Sequence, residues 1–238
     1  MRGSNKFLKI YNDIDNYMRR TLEAGPRMSH IALIDKLSKK SNVFRFYKHD
    51  LKEFAELRNA IIHNTHFSNN QYGDVIAEPH RYIVEMYEEL YKKIMRPKLA
   101  KHVFRTINDS SVYTATRHTK IIDIIKNMHD KEYTCVPILE NNKLIGVFSE
   151  NVLLTFIAKH GSYNFEHKSI DDILELTDIN NHNGEYFEFV KIKDTVFDIK
   201  ETFSRQRKDR KRLEMVFVTG NGTLNEDVLG VISAWDLI

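Results

Sequence analysis

The sequence holds one cysteine in 238 residues, and no apolar run approaches the roughly 18 to 20 residues that a membrane-crossing helix needs. A lone Cys135 cannot close an internal disulfide, which fits a reducing compartment. Set between Thr134 and Val136-Pro137-Ile138, it reads as a small buried apolar side chain rather than a reactive thiol. The N-terminus lacks a continuous apolar signal core, so the expected location is cytoplasmic. Metal-binding spacings are missing too: His63, His66 and His80 form no His-Glu-x-x-His pattern and have no cysteine partners, so no metal and no required cofactor are expected. The opening Met1-Arg2-Gly3-Ser4 has the look of a vector-derived leader and is set aside.

What is present is ordinary for a globular chain of two modest domains, with 42% hydrophobic and 29% charged residues. Charge is unevenly spread. Residues 1–100 carry 18 Lys/Arg against 12 Asp/Glu, and residues 101–238 carry 18 against 21, which makes the first part the better candidate for an anionic partner. Apolar periodicity changes in the same region, from helical before Arg96-Pro97-Lys98 to alternating strand and helix after it. The predicted domains are therefore 1–98 and 99–238.

In the first domain, Phe7, Ile10, Ile14, Tyr17/Met18 and Leu22 form one helical stripe that Gly25-Pro26 ends. Ser29 is placed to cap a second helix carrying Ile31, Leu33/Ile34 and Leu37. A third helix over about 50–63 has apolar residues at 51, 54, 57 and 61, and Asn64 to Gly73 reads as a polar connection. A fourth starts near Pro79 with Ile83, Met86/Tyr87, Leu90 and Ile94 inward, which together predicts an all-α bundle. The end of the third helix carries Arg58-Asn59-Ala60-Ile61-Ile62-His63, with residues 59 and 63 one turn apart and the long Arg58 side chain able to reach the same space. Read as packing, Arg58 pairs with Glu56 or another carboxylate, and His63 and Asn64 end the helix where its dipole favours a cation.

Leu57-Arg58-Asn59-x-x-x-His63 in a helical domain resembles the HEPN superfamily, whose members carry an Arg, usually a polar residue after it, and a His four to six residues beyond. The resemblance implies a metal-independent ribonuclease acting as a homodimer on RNA, with Arg58, Asn59 and His63 catalytic. His63 would exchange a proton near neutral pH, Arg58 would bind phosphate oxygens through its planar fork, and Asn59 would orient the imidazole. A two-fold interface would supply acid and base from different chains.

The second domain repeats itself. Thr134 to Leu153 and Met215 to Leu237 share the frame apolar-Gly-apolar-apolar-Ser-x-x-x-Leu, at Gly146/Ser149 and Gly230/Ser233. Each unit follows a helix (Ile121/Ile122, Ile124/Ile125 and Met128; Val196/Phe197, Ile199 and Phe203) and, before that, a short strand (Val112-Tyr113-Thr114; Phe189 to Ile192). The frame resembles the CBS domain, and two in series resemble a Bateman module, with repeat one at about 102–163 and repeat two at about 169–238. The resemblance implies two βαββα units about a pseudo-two-fold axis, and a regulatory adenine nucleotide (AMP, ADP or ATP) or S-adenosylmethionine in their cleft.

Ser233 and Asp236 fall where a helix starts after a buried strand, so Asp236 is assigned to ribose and Ser233 to phosphate. Val152 stands at the equivalent place in repeat one and cannot accept a hydrogen bond. Thr134/Cys135 and Leu213/Glu214 precede the central strands where nucleotide-binding relatives often carry basic residues, which leaves phosphate recognition unsupported there. The run Arg205 to Arg212 holds six cations and reads as a solvated helix end or a contact for RNA or ligand phosphates. The sequence stops one turn into the helix expected after Asp236, so that repeat either ends early or is truncated.

The expected fold class is α+β multidomain: an N-terminal all-α helical bundle plus two βαββα repeats. The expected function is a ligand-regulated, metal-independent endoribonuclease. The competing expectation is a non-catalytic nucleotide sensor whose helical domain dimerises or docks on a partner.

Overall fold

The sequence stripes become helices where their apolar faces can be buried. A computed structural model describes residues 3–63, 78–107, 112–161 and 165–238, divided into two compact units, Met1–Lys98 and Leu99–Ile238. The first unit contains α1 (Gly3–Leu22), α2 (His30–Leu37), α3 (Asn42–Phe46), α4 (Lys48–His63) and α5 (Arg81–Met95). Phe7, Ile14 and Met18 of α1, Leu33 and Ile34 of α2, Leu51 and Ile61 of α4 and Tyr87 of α5 are fully buried. Tyr87 meets two rings, Phe7 tilted against it at 4.8 Å and Phe54 stacked on it at 4.1 Å, which fixes α1, α4 and α5 against one another. Ser29 caps α2 as expected, its hydroxyl accepting the Ala32 N–H at 3.2 Å.

Several details of the first unit depart from the sequence expectation. Among the described residues there are five helices rather than four, because Val43 and Phe44 of the short α3 are buried. Ile31 and Met86 face solvent and Val84 faces the core instead. Ser4 is fully buried in the first turn of α1, and its backbone N–H donates to Glu78 Oε1 at 2.9 Å. The α5 helix begins two residues after Pro79, where the His80 ring accepts the Tyr82 N–H at 3.3 Å. The proposed connection at 64–73 lies outside the described residues. No helix among the described residues is long and apolar enough to cross a membrane.

The second unit runs β1 (Arg105–Thr106), α6 (Ile121–Lys131), β2 (Cys135–Glu140), β3 (Lys143–Ser149), α7 (Glu150–His160), α8 (Leu174–Thr177), β4 (Glu185–Lys191), α9 (Val196–Ser204), β5 (Arg212–Thr219) and β6 (Gly230–Ile232), closed by a 3-10 turn at Ala234–Leu237. In the second repeat β4 pairs parallel with β5, and β5 antiparallel with β6. The first repeat has the same plan with a reduced outer strand: β2 pairs antiparallel with β3, and only Ala115 bridges Ile138 in parallel. The strand expected at Val112 to Thr114 thus shrinks to one bridge at residue 115, whereas β4 begins four residues before the expected Phe189. Phe148 and Phe217 fill the two repeats' interiors with no exposed area.

The frame's glycines have a steric cause. A Cβ on Gly230 would stand 2.2 Å from the Phe104 ring and 2.5 Å from the Arg105 carbonyl oxygen, and one on Gly146 would stand 2.6 Å from Thr177 Oγ1. In both repeats a chain segment crosses the strand at the position that has no side chain. At Gly230 that segment is β1, which precedes repeat one in sequence yet pairs antiparallel with β6 of repeat two (Arg105↔Val231, Thr106↔Gly230). The four-stranded sheet therefore has the order β1-β6-β5-β4.

Candidate functional site

The close approach at Gly230 brings β1 beside the turn that follows β6. Arg105 Nε then faces Asp236 Oδ1 at 3.2 Å as an ion pair, although off line for a hydrogen bond. Asp236 Oδ2 accepts both the Ser233 backbone N–H at 2.7 Å and the Ser233 hydroxyl at 2.8 Å. The two residues singled out from sequence are thus brought together, but in altered roles. Ser233 donates its proton to Asp236 and keeps only acceptor lone pairs, while Asp236 Oδ1 retains capacity for a further donor beside Arg105. The helix expected after Asp236 is the single 3-10 turn Ala234–Leu237.

These groups line a cavity of about 610 Å³. Tyr133, Thr134 and Cys135 of the first repeat face Arg212, Glu214 and Asp236 of the second across it. Glu214 accepts the Thr134 hydroxyl on Oε1 at 2.7 Å, and the Arg212 guanidinium on Oε2 at 2.6 and 3.1 Å. Thr134 and Glu214 each lie near the start of a central strand, so this bond joins the repeats at corresponding places. Cys135 is buried, and burial pushes its thiol up to about 12, with the Glu214 and Glu185 carboxylates adding to the shift.

The corresponding corner of repeat one is filled by the protein's own side chains. The Ser149 hydroxyl donates to Glu185 Oε1 and also accepts the Val152 N–H at 3.2 Å, while Asn151 Nδ2 donates to Glu185 Oε2 at 2.9 Å. His182 Nδ1 meets the same Glu185 oxygen at 2.7 Å, and its Nε2 faces the Thr177 carbonyl at 3.3 Å. Burial alone would raise the Glu185 carboxyl, but the bonds from His182, Ser149 and Asn151 outweigh it and hold the group below the usual carboxylate range. Val152, expected to leave this corner without an acceptor, is replaced in that role by Glu185 from the other repeat. A polar cavity of about 390 Å³ lies alongside, lined by Asn151, Thr155, Lys159, Glu175, Asn181 and His182. The signal that could have found this network is His182-Asn183-Gly184-Glu185, a histidine and a carboxylate three residues apart before a strand.

The basic run is not a helix end: α9 stops at Ser204 and residues 205–211 form the loop to β5. Residues 205–210 and 212 are exposed, and Lys211 is half-buried. Arg207 lies 4.5 Å over the Tyr186 ring and pairs with Asp209, and Lys211 Nζ donates to the His182 carbonyl at 2.7 Å.

In the helical unit, Arg58 and Asn59 are adjacent on α4, with Arg58 Nη1 donating to Asn59 Oδ1 at 3.3 Å. The Arg58 guanidinium lies 5.2 Å from the centre of the Tyr11 ring, whose other neighbour is the stacked His30 ring at 4.0 Å. The His63 side chain lies outside the described residues. Among the described residues no group of three or more His, Cys, Asp or Glu is placed to hold a metal ion.

Two repeats of the same strand plan face each other across a cavity lined by the segment leading into β2 of the first and the turn after β6 of the second. Residues 101–159 match the family model for the CBS domain, so the chain carries a CBS domain. Solved structures similar to the chain include CBSX2 in complex with AMP, with 13% identity over 59% of this chain and 92% of that one and a TM-score of 0.40. The CBS domain of a bacterial CNNM/CorC family Mg2+ transporter in complex with ATP gives 12% identity over 64% and 92%, with a TM-score of 0.42. A conserved protein domain of unknown function from Neisseria meningitidis gives 16% over 65% and 86%, with a TM-score of 0.41. No curated protein gives a match to the sequence.

Proposed function

We propose that residues 99–238 form a nucleotide-sensing regulatory module, with an adenosyl ligand in the cavity beside Ser233 and Asp236, and that the helical unit is its output element, dimerising or docking on a partner. The observation that carries this reading is Asp236 itself, a carboxylate in the first turn after a buried strand, lining a cavity shared by both repeats, with lone-pair capacity left on Oδ1. A ribose hydroxyl would take that oxygen in competition with Arg105. Repeat one offers no equivalent, because Glu185 is buried and already accepts from Ser149, Asn151 and His182. One ligand per chain is therefore expected. Calorimetric titration with AMP, ATP and S-adenosylmethionine tests the assignment. Asp236→Ala should weaken binding by about tenfold or more, as for a lost hydrogen bond to a charged group, and titrations unchanged by the substitution would remove the site.

A second reading, a metal-independent endoribonuclease controlled by that ligand, is favoured by one observation, the pairing of Arg58 with Asn59 on α4. Two chains would have to face each other for His63 of each to serve as acid or base, leaving a 2′,3′-cyclic phosphate and a 5′-hydroxyl. Labelled RNA incubated with EDTA and either wild type or His63→Ala decides it. Equal cleavage by both, or cleavage by neither, eliminates the enzyme.

A further inference from the structure

Resting on the assignment of this cavity to an adenosyl ligand, its charges say what kind. Two arginines line it, and each is committed to a carboxylate: Arg105 to Asp236 at 3.2 Å, Arg212 to Glu214 at 2.6 Å. The two members of the second pair are unequally solvated. The Glu214 side chain is 11% exposed, whereas that of Arg212 is 76% exposed. Water and salt therefore screen the cation far more than the anion, so that of this pair it is the Glu214 charge that acts more strongly on the cavity. The neighbouring wall agrees with this: at Cys135, beyond the effect of burial, the carboxylates of Glu214 and Glu185 outweigh the opposing influence of Arg105.

We propose that this cleft selects an adenosyl ligand whose 5′ substituent is cationic, the sulfonium class represented by S-adenosylmethionine, over adenosine phosphates, and that Glu214 is the selecting residue. With ribose on Asp236, a 5′ substituent is directed into the part of the cavity that Thr134 and Glu214 line. A polyphosphate there meets a little-solvated carboxylate, and like-charge juxtaposition is costly. A sulfonium meets an attraction instead, and Glu214 has acceptor capacity beyond its bonds to Thr134 and Arg212. The rim supplies Lys131, Glu132 and Arg212, charges of both signs suited to the carboxylate and ammonium of an amino-acid end.

Trp235, the only tryptophan of the chain, lines the same cavity and is 82% exposed, so its fluorescence reports binding without a label. Wild type, Glu214→Gln and Asp236→Ala are titrated with S-adenosylmethionine, the uncharged thioether S-adenosylhomocysteine, AMP and ATP, with thermal melts to show that each variant is folded. Expected for wild type is binding of the sulfonium about tenfold tighter than the thioether, with ATP weakest. In Glu214→Gln the sulfonium-to-thioether ratio should fall to about one and AMP should bind more tightly. Should wild type prefer AMP or ATP while Asp236→Ala loses them, the nucleotide site stands and the charge selection is overturned. Equal ratios in wild type and Glu214→Gln overturn the role of Glu214 alone. No binding of any of the four removes the site, and this proposal with it.

Discussion

His30 places its imidazole among the N-terminal helices with 8% of the residue exposed. Its Nδ1 meets Asp15 Oδ1 at 2.8 Å, while Nε2 is buried with no hydrogen-bond partner. A neutral ring that donates from Nδ1 satisfies this environment, and a second proton on Nε2 would be left without an acceptor. Burial is the largest influence and lowers the His30 pKa from its ordinary 6.5, against the opposing pull of Asp15. The folded state thus binds this proton less readily than the unfolded chain. Its contribution to stability is complete above about pH 6.5 and is lost as pH falls through the lower folded value. Melts of the helical unit should show a falling midpoint between about pH 7 and pH 5, and His30→Phe should flatten that slope. Cys135 offers a second test at this scale. With its thiol pushed up to about 12 and its side chain buried, the native protein should resist a thiol reagent that reacts at once after denaturation. The burial of Cys135 was legible because the residues around it are apolar. The burial of His30 was not, because nothing local distinguishes a core histidine from a surface one.

At the scale of elements, periodicity located α1, α2, α4, α6 and α9 because each buries one face, and its misassignments have the same origin. Ile31 and Met86 are apolar but point to solvent, and α3 is too short for its two buried residues to make a period. The loop at 205–211 was hidden because charge density says nothing about φ and ψ. The Gly-x-x-Ser frame was readable by repetition, yet its cause, a segment crossing each glycine, is a long-range contact that no window of sequence contains. Gly230→Ala should destabilise the second unit by about 1–3 kcal/mol, since both Phe104 and a backbone carbonyl must move. Gly220→Ala is the matched control. Its nearest neighbour would be Glu226 Oε2 at 3.4 Å, so urea midpoints should fall for the first substitution and barely change for the second.

For the whole molecule, sensing requires that ligand occupancy and the state of the helical unit bias each other. A ligand at 100 times its dissociation constant stabilises the unit that binds it by about 2.7 kcal/mol, visible as a raised melting temperature. If that ligand also shifts self-association, association must shift ligand affinity by the same factor. Sedimentation at several protein concentrations, with and without S-adenosylmethionine, should give two different association constants, and equal constants would separate the sensor from any output through dimerisation. The sequence carries a change of periodicity near Lys98, whereas nothing local in it signals the contact of Arg105 with Asp236.

The pairing of β1 with β6 also sets an order of events. As the chain leaves the ribosome, Arg105 and Thr106 emerge early, but their partners Gly230 and Val231 follow only with β6, the strand that completes the second hairpin. That sheet edge therefore closes late, and its wide sequence separation favours slow completion. A fragment cut at residues 101–159, where the family match begins and ends, would carry β1 away from its sheet and leave the hydrogen-bonding edge of β6 bare. The separable folding unit is the pair, and its first strand belongs to its last.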